Sequence, residues 1–257
     1  MRTVAAVRAP LLTLVALLVA WLLAPLLPPP HSLAMLRVYV YGSAAIFFAL
    51  VALLVYLLAP RVMRLGGPRI VAAVVAALAC VIVLNYLEVP VASDVAKVAL
   101  GLSAGAGLLL PIDRPWWLLP ISVFVPLADA WSVFSSRGVT HAVVHKAADN
   151  PEWISWPTIA TPIAGFDYLD FGRIGIVDVL FLTLYLAAAI RWELGARRLL
   201  VALPLAFVAT NVLAYERSGA AVPALPILCV AFLACTGMAL WRDLRLEFAR
   251  DEPPSSR

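Results

Sequence analysis

Long uncharged apolar blocks govern what this chain can fold into. Ala9 through Leu27 carry no ionisable side chain, and comparable blocks recur as far as position 241. A bilayer core about 30 Å thick is crossed by roughly 20 apolar residues of helix. Eight segments meet that length, at 6–27, 38–58, 70–87, 92–110, 116–134, 174–190, 199–214 and 221–241. The first follows Arg2 and Arg8 as a signal peptide would, but its run is longer than the 7–15 residues of such a core, so it reads as a retained span. Pro28, Pro29 and Pro30 end it, because proline cannot donate the next helical hydrogen bond.

These blocks exclude most other classes. Of 257 residues, 64% are hydrophobic and 13% charged, against about 45–50% and 25% in soluble domains. A soluble domain, a disordered chain and a nucleic-acid module are ruled out. A membrane β-barrel is ruled out too, since its strands alternate apolar and polar residues. The expected fold is an all-α polytopic transmembrane bundle of about eight spans. An N-terminal four-helix membrane region, 1–114, precedes a second membrane region, 115–250. Residues 251–257, with Pro253, Pro254 and two serines, read as a disordered tail.

The net charge of +4 fits basic cytoplasmic loops rather than nucleic acid. With the N-terminus inside, 13 of the 19 Lys and Arg residues fall on the cytoplasmic side and 6 outside. Both termini are therefore expected in the cytoplasm of a prokaryotic plasma membrane. Cys80, Cys229 and Cys235 lie in apolar surroundings and read as buried free thiols. The connection 135–173 stands apart for its length and for Trp153, Trp156, Phe166 and Tyr168, aromatics suited to a membrane interface.

Four charged residues fall inside spans: Asp94, Lys97, Asp129 and Asp178. An ionisable group in hydrocarbon costs several kcal/mol, so each requires a partner or a function. Asp94 and Lys97, three apart, share a helix face and can pair. Asp129 and Asp178 have no such neighbour. One lies near the end of the fifth span and the other near the start of the sixth, so both reach a similar depth on the loop side. Two close carboxylates do not both ionise easily, and a pair sharing one proton can supply an acid and a base together. The same acids could instead line a transport path.

The first acid sits in Ala128-Asp129-Ala130-Trp131-Ser132-Val133-Phe134. The second sits in Gly175-Ile176-Val177-Asp178, and the last span opens with Pro223-Ala224-Leu225. This order resembles the presenilin and signal peptide peptidase family of intramembrane aspartyl proteases. That family has Tyr-Asp, then Gly-x-Gly-Asp, then Pro-Ala-Leu on successive elements. The resemblance covers roughly 116–241 and implies a presenilin-like bundle. It makes Asp129 and Asp178 the catalytic pair, sets Gly175, Pro223, Ala224 and Leu225 beside the substrate, and requires no metal or organic cofactor. Ala128 replaces the family tyrosine and Val177 the second glycine; a β-branched residue there is expected to stiffen the helix and crowd the site. The family typically has nine spans, six of them before the long loop, where eight and five are counted here.

Two other patterns are weaker. Gly101-Leu102-Ser103-Ala104-Gly105 matches a nucleophile elbow, but it lies within a span, where no histidine stands, and reads as a small-residue packing face. His141, His145 and Asp149 share a helix face, yet the glutamate of a zinc protease motif is absent. The expected activity is hydrolysis of peptide bonds in membrane-spanning substrates, such as signal-peptide remnants, by a two-aspartate mechanism. The partners are those substrates and the lipid bilayer, not nucleic acid. The alternative is a non-proteolytic membrane protein, either a proton-coupled transporter or an inactive scaffold of the protease fold. A prepilin-peptidase-like enzyme shares Gly-x-Gly-Asp, but the Pro-Ala-Leu element argues for the presenilin group.

Overall fold

The computed structural model describes residues 2–143, 152–167, 172–217 and 222–251. Eight long helices among them form a bundle: α1 (Arg2–Leu23), α2 (Leu33–Met63), α3 (Gly67–Tyr86), α4 (Pro90–Leu108), α5 (Leu118–Phe134), α6 (Ile176–Arg191), α7 (Ala196–Glu216) and α8 (Ala224–Asp251). Local chemistry sets their ends. Ser32 caps α2, its Oγ accepting the Met35 N–H at 3.2 Å. Pro68 and Pro90 stand in the first turns of α3 and α4, where a missing N–H leaves nothing unpaired. Gly66 and Gly195 turn the chain into α3 and α7 at φ of +79° and +82°, a region that disfavours any side chain.

Seven of the helices are long and apolar enough to cross a membrane. The protein is an integral membrane protein with an all-α helical bundle. Large apolar side chains such as Leu12, Val75, Phe124 and Leu205 are more than half exposed and face the lipid. The expected sixth span differs from the rest. At 16 residues, α6 measures about 24 Å, short of the bilayer core. It is also the most enclosed helix, with every residue from Leu182 to Ala189 buried. A helix apolar on all sides belongs in the centre of a bundle.

Boundaries differ from the sequence reading where apolar blocks and helices part company. α2 extends five residues beyond 38–58 at each end. α8 continues to Asp251, because the charged stretch after Trp241 is rich in helix-favouring Arg, Leu and Glu. Its Glu247 pairs with Arg114 at 3.4 Å. Asp251 is thus the last helical residue rather than the first of a tail, and 252–257 lie outside the described residues. The connection 135–173 contains a strand, β1 (Thr158–Thr161), paired antiparallel with β2 (Gly172–Gly175). β2 takes up the residues expected to begin the sixth span. Of the three cysteines, only Cys229 is buried; Cys80 is exposed on the lipid-facing α3 and Cys235 is half-buried.

α4 lies against α6 through its glycines. A Cβ at Gly101 would stand 2.9 Å from the Cβ of Val179, and one at Gly105 would overlap the Leu180 carbonyl oxygen. The expected small-residue face is therefore a close helix contact. Ser103 lies within it and bonds the Ala99 carbonyl of its own helix at 2.8 Å, with no strand or turn to present it as a nucleophile. On the other side of the core, Phe48 stacks on Phe207 at 4.7 Å and Tyr185 on Phe232 at 4.1 Å. Replacing Gly105 with leucine is expected to separate α4 from α6 and lower stability by more than about 3 kcal/mol, beyond the usual 1–3 for overpacking. Thermal unfolding in detergent checks this, and an unchanged midpoint would refute the contact.

Candidate functional site

Asp94 and Lys97 are not merely a local pair. The Lys97 ammonium sits 3.0 Å from Asp94 Oδ1, with the side chains 1% and 0% exposed. Asp94 Oδ2 accepts the Ala160 N–H of β1 at 2.9 Å, and Lys97 Nζ donates to the Ser155 carbonyl at 2.6 Å. From α1, the Trp21 indole N–H reaches the Ala160 carbonyl at 2.8 Å. Both main-chain groups of Ala160 therefore point away from β2. The Ala160↔Arg173 pair is then the non-hydrogen-bonded kind, and the Arg173 N–H and carbonyl face away from β1. Gly175, two residues on, faces the same way, and its N–H donates to Asp178 Oδ2 at 2.9 Å.

That bond locates the second acid. Asp178 is in the first turn of α6, where a carboxylate reaching back to the preceding N–H is favoured. Gly175 is extended, with φ of −71°, so its value is space rather than conformational freedom. A Cβ there would lie 3.1 Å from Asp178 Oδ2. Val177 is 53% exposed and points out of the bundle, so it does not crowd the aspartate as expected.

Asp129 arrives from α5. Ser122, Asp129 and Val133 form a stripe two to three turns long on the inward side, while Phe124, Leu127 and Trp131 face lipid. Asp129 Oδ2 accepts the Leu225 N–H at 3.2 Å. Leu225 is the second residue of α8, preceded by Ala224 and by Pro223, which has no N–H to offer. Asp129 thus caps a helix that lies 96 residues further along the chain. Pro223 and Leu225 are buried and Ala224 is half-buried. The two carboxylates, both half-buried, lie within electrostatic range of each other.

Behind the pair runs a polar chain that the sequence reading did not find. Ser122 Oγ donates to the Tyr185 hydroxyl at 3.2 Å, and that hydroxyl lies 3.0 Å from Cys229 Sγ. Cys229 in turn lies within electrostatic range of Asp129. Spacing was the available signal. Ser122 precedes Asp129 by seven residues and Tyr185 follows Asp178 by seven, two helical turns in each case. Cys229 is one turn beyond Leu225.

The structure therefore brings together Asp129, Asp178, Gly175, Pro223, Ala224 and Leu225 at the loop-side end of α5, α6 and α8. His141 is described but His145 and Asp149 lie outside the described residues, as does Tyr168. Among the described residues, no group of three His, Cys, Asp or Glu side chains could hold a metal. No protein-family model matches the chain, and neither the curated proteins nor the solved structures contain a match.

The buried pair yields a sharp expectation. Lys97→Met removes the ammonium that pairs with the buried Asp94 carboxylate, which is expected to lower stability by about 3–5 kcal/mol. Asp94→Leu combined with Lys97→Met removes both charges and is expected to recover part of that loss. Unfolding of the variants in mixed micelles measures both effects. A Lys97→Met protein as stable as wild type would show that the pair does not hold β1.

Proposed function

We propose that the protein is an intramembrane aspartyl protease that hydrolyses peptide bonds in membrane-spanning substrates through Asp129 and Asp178. One observation carries the reading. Two intramembrane carboxylates from different helices lie within electrostatic range of each other, and one of them, Asp129, accepts the Leu225 N–H at the opening of α8. The resemblance to presenilin-type proteases, which implies a catalytic pair beside Pro223-Ala224-Leu225, supports the same reading.

The chemistry follows from a pair holding one proton between them. The ionised carboxylate takes a proton from water as the water oxygen attacks the peptide carbonyl carbon. The protonated one gives its proton to the carbonyl oxygen. As the diol collapses and the C–N bond breaks, the carboxyl that now holds the proton gives it to the leaving amine and the other carboxylate takes the proton lost from a diol hydroxyl, so the pair again holds one. The proton belongs to the pair rather than to either residue. Hydrogen bonding with one N–H occupies only a fraction of the acceptor sites on each carboxylate, so water can still be bound.

A substrate helix must unwind before it is cut, and its freed main-chain groups need partners in lipid.

A second reading rests on a specific observation. Each aspartate already closes the start of a helix, which is a sufficient structural reason for its presence. On that reading the protein is an inactive scaffold of the same fold. Reconstitution with a tagged single-span substrate separates the two. The protease reading expects cleavage by wild type and at least about a 100-fold loss in both Asp129→Ala and Asp178→Ala, the scale of a lost acid or base. The scaffold reading expects no cleavage by wild type and a loss of about 1 kcal/mol in each variant, as for a removed helix cap. Cleavage retained by either variant would overturn the two-aspartate mechanism.

A further inference from the structure

The helices that carry the two aspartates do not lie along each other. α5 packs against α8 and α6 against α4, and α5 has no extended contact with α6. Among the described residues, one hydrogen bond joins α5 to α6, from Ser122 Oγ to the Tyr185 hydroxyl at 3.2 Å. Ser122 is 3% exposed and Tyr185 0%, so the bond is made out of reach of water. The tyrosine holds its hydroxyl still. Its ring stacks on Phe232 of α8 at 4.1 Å, with the planes 14° apart. Having accepted from Ser122, the hydroxyl keeps its own proton for Cys229 Sγ of α8, 3.0 Å away. One side chain of α6 thus ties α5 and α8 together.

The aspartates stand at equal distances from this tie. Ser122 precedes Asp129 by seven residues and Tyr185 follows Asp178 by seven. Seven residues fall about 20° short of two full turns, so each aspartate shares a helix face with its group in the tie, about 10 Å further along. Holding Ser122 against Tyr185 therefore turns the two aspartate faces toward each other and sets the gap between them. The bonds at the aspartates themselves do not. Asp178 is bound to Gly175, just before its own helix, and Asp129 to Leu225 of α8, so neither bond crosses from α5 to α6.

We infer that Tyr185 is a positioning residue, whose hydroxyl acts through Ser122 to fix the spacing and facing of Asp129 and Asp178. Its effect on catalysis rests on the protease reading, whereas the spacing itself is measured without any reaction.

Two measurements on the full chain in lipid nanodiscs test the role. Spin labels are attached through Ala128→Cys and Val177→Cys, exposed neighbours of the two acids. Cys80→Ser and Cys235→Ser remove the accessible native thiols, and the buried Cys229 stays. Pulsed electron resonance is expected to give one narrow label separation when Tyr185 is present. Tyr185→Phe keeps the ring and its stacking but loses the hydroxyl; Ser122→Ala removes the same bond from α5 if the first variant does not fold. Each is expected to broaden the separation. Each is also expected to lower kcat for a tagged single-span substrate by about 10- to 100-fold with KM unchanged, as for reacting groups misplaced by about 1 Å. Thr210→Val loses a buried hydroxyl that bonds within α7 and is expected to leave both readings as in wild type. No cleavage by wild type would overturn the protease reading, and the label separation alone would then decide the positioning role. A separation unchanged in a folded Tyr185→Phe or Ser122→Ala protein would overturn the inference. So would equal broadening in Thr210→Val, or a loss of cleavage that lies wholly in KM.

Discussion

The buried ion pair of Asp94 and Lys97 is the interaction on which the loop-side half of the bundle depends. A charged pair removed from water is tolerated only when every donor and acceptor is used. Here the spare capacity of both groups is spent on the connection between α5 and α6. Asp94 takes the Ala160 N–H and Lys97 takes the Ser155 carbonyl, while Trp21 closes Ala160 from α1. A loop crossing a membrane protein at this depth must satisfy its backbone within the protein. This pair does so for β1, and β1 then supplies the partner for β2.

The position of the second aspartate follows from that arrangement. β2 ends at Gly175, and α6 begins at the next residue. The direction in which Gly175 presents its N–H is set by its register with Thr158, and the register is held through Ala160. Asp178 folds back onto that N–H. The chain of cause therefore runs from the charge pair through two strands to the carboxylate. Asp129 is fixed separately, by the stripe that turns α5 toward α8 and by the open N–H of Leu225. Two independent supports thus converge on one end of the bundle.

Much of this was legible from the residues. The blocks of apolar sequence marked the helices, and the scarcity of charge singled out the four residues that matter. The i,i+3 spacing of Asp94 and Lys97 announced their pairing. What spacing could not show is the third partner, because Ala160 is an ordinary residue and lies 66 positions away. The strands were invisible for a related reason. Four residues each, in a connection rich in proline and aromatics, they owe their conformation to side chains from α1 and α4 rather than to a period of their own. The short length of α6 was hidden as well. The apolar run that begins at Ile174 reads as the start of a span, and pairing with β1 holds Ile174 and Gly175 extended instead.

The two departures from the presenilin-type motifs acquire a geometric meaning. Successive helix residues point about 100° apart, so a neighbour of a site residue need not face the site. Ala128 and Val177 each immediately precede an aspartate, and both are exposed. Neither side chain lies between the two acids. Gly175 is the position where a side chain would press on the Asp178 carboxylate, at 3.1 Å. An aromatic hydroxyl, that of Tyr185 on α6, lies behind the pair, bonded to Ser122 and close to Cys229. The side chains at Ala128 and Val177 are turned away from the carboxylates, and the groups that bond the carboxylates are the Gly175 and Leu225 N–H.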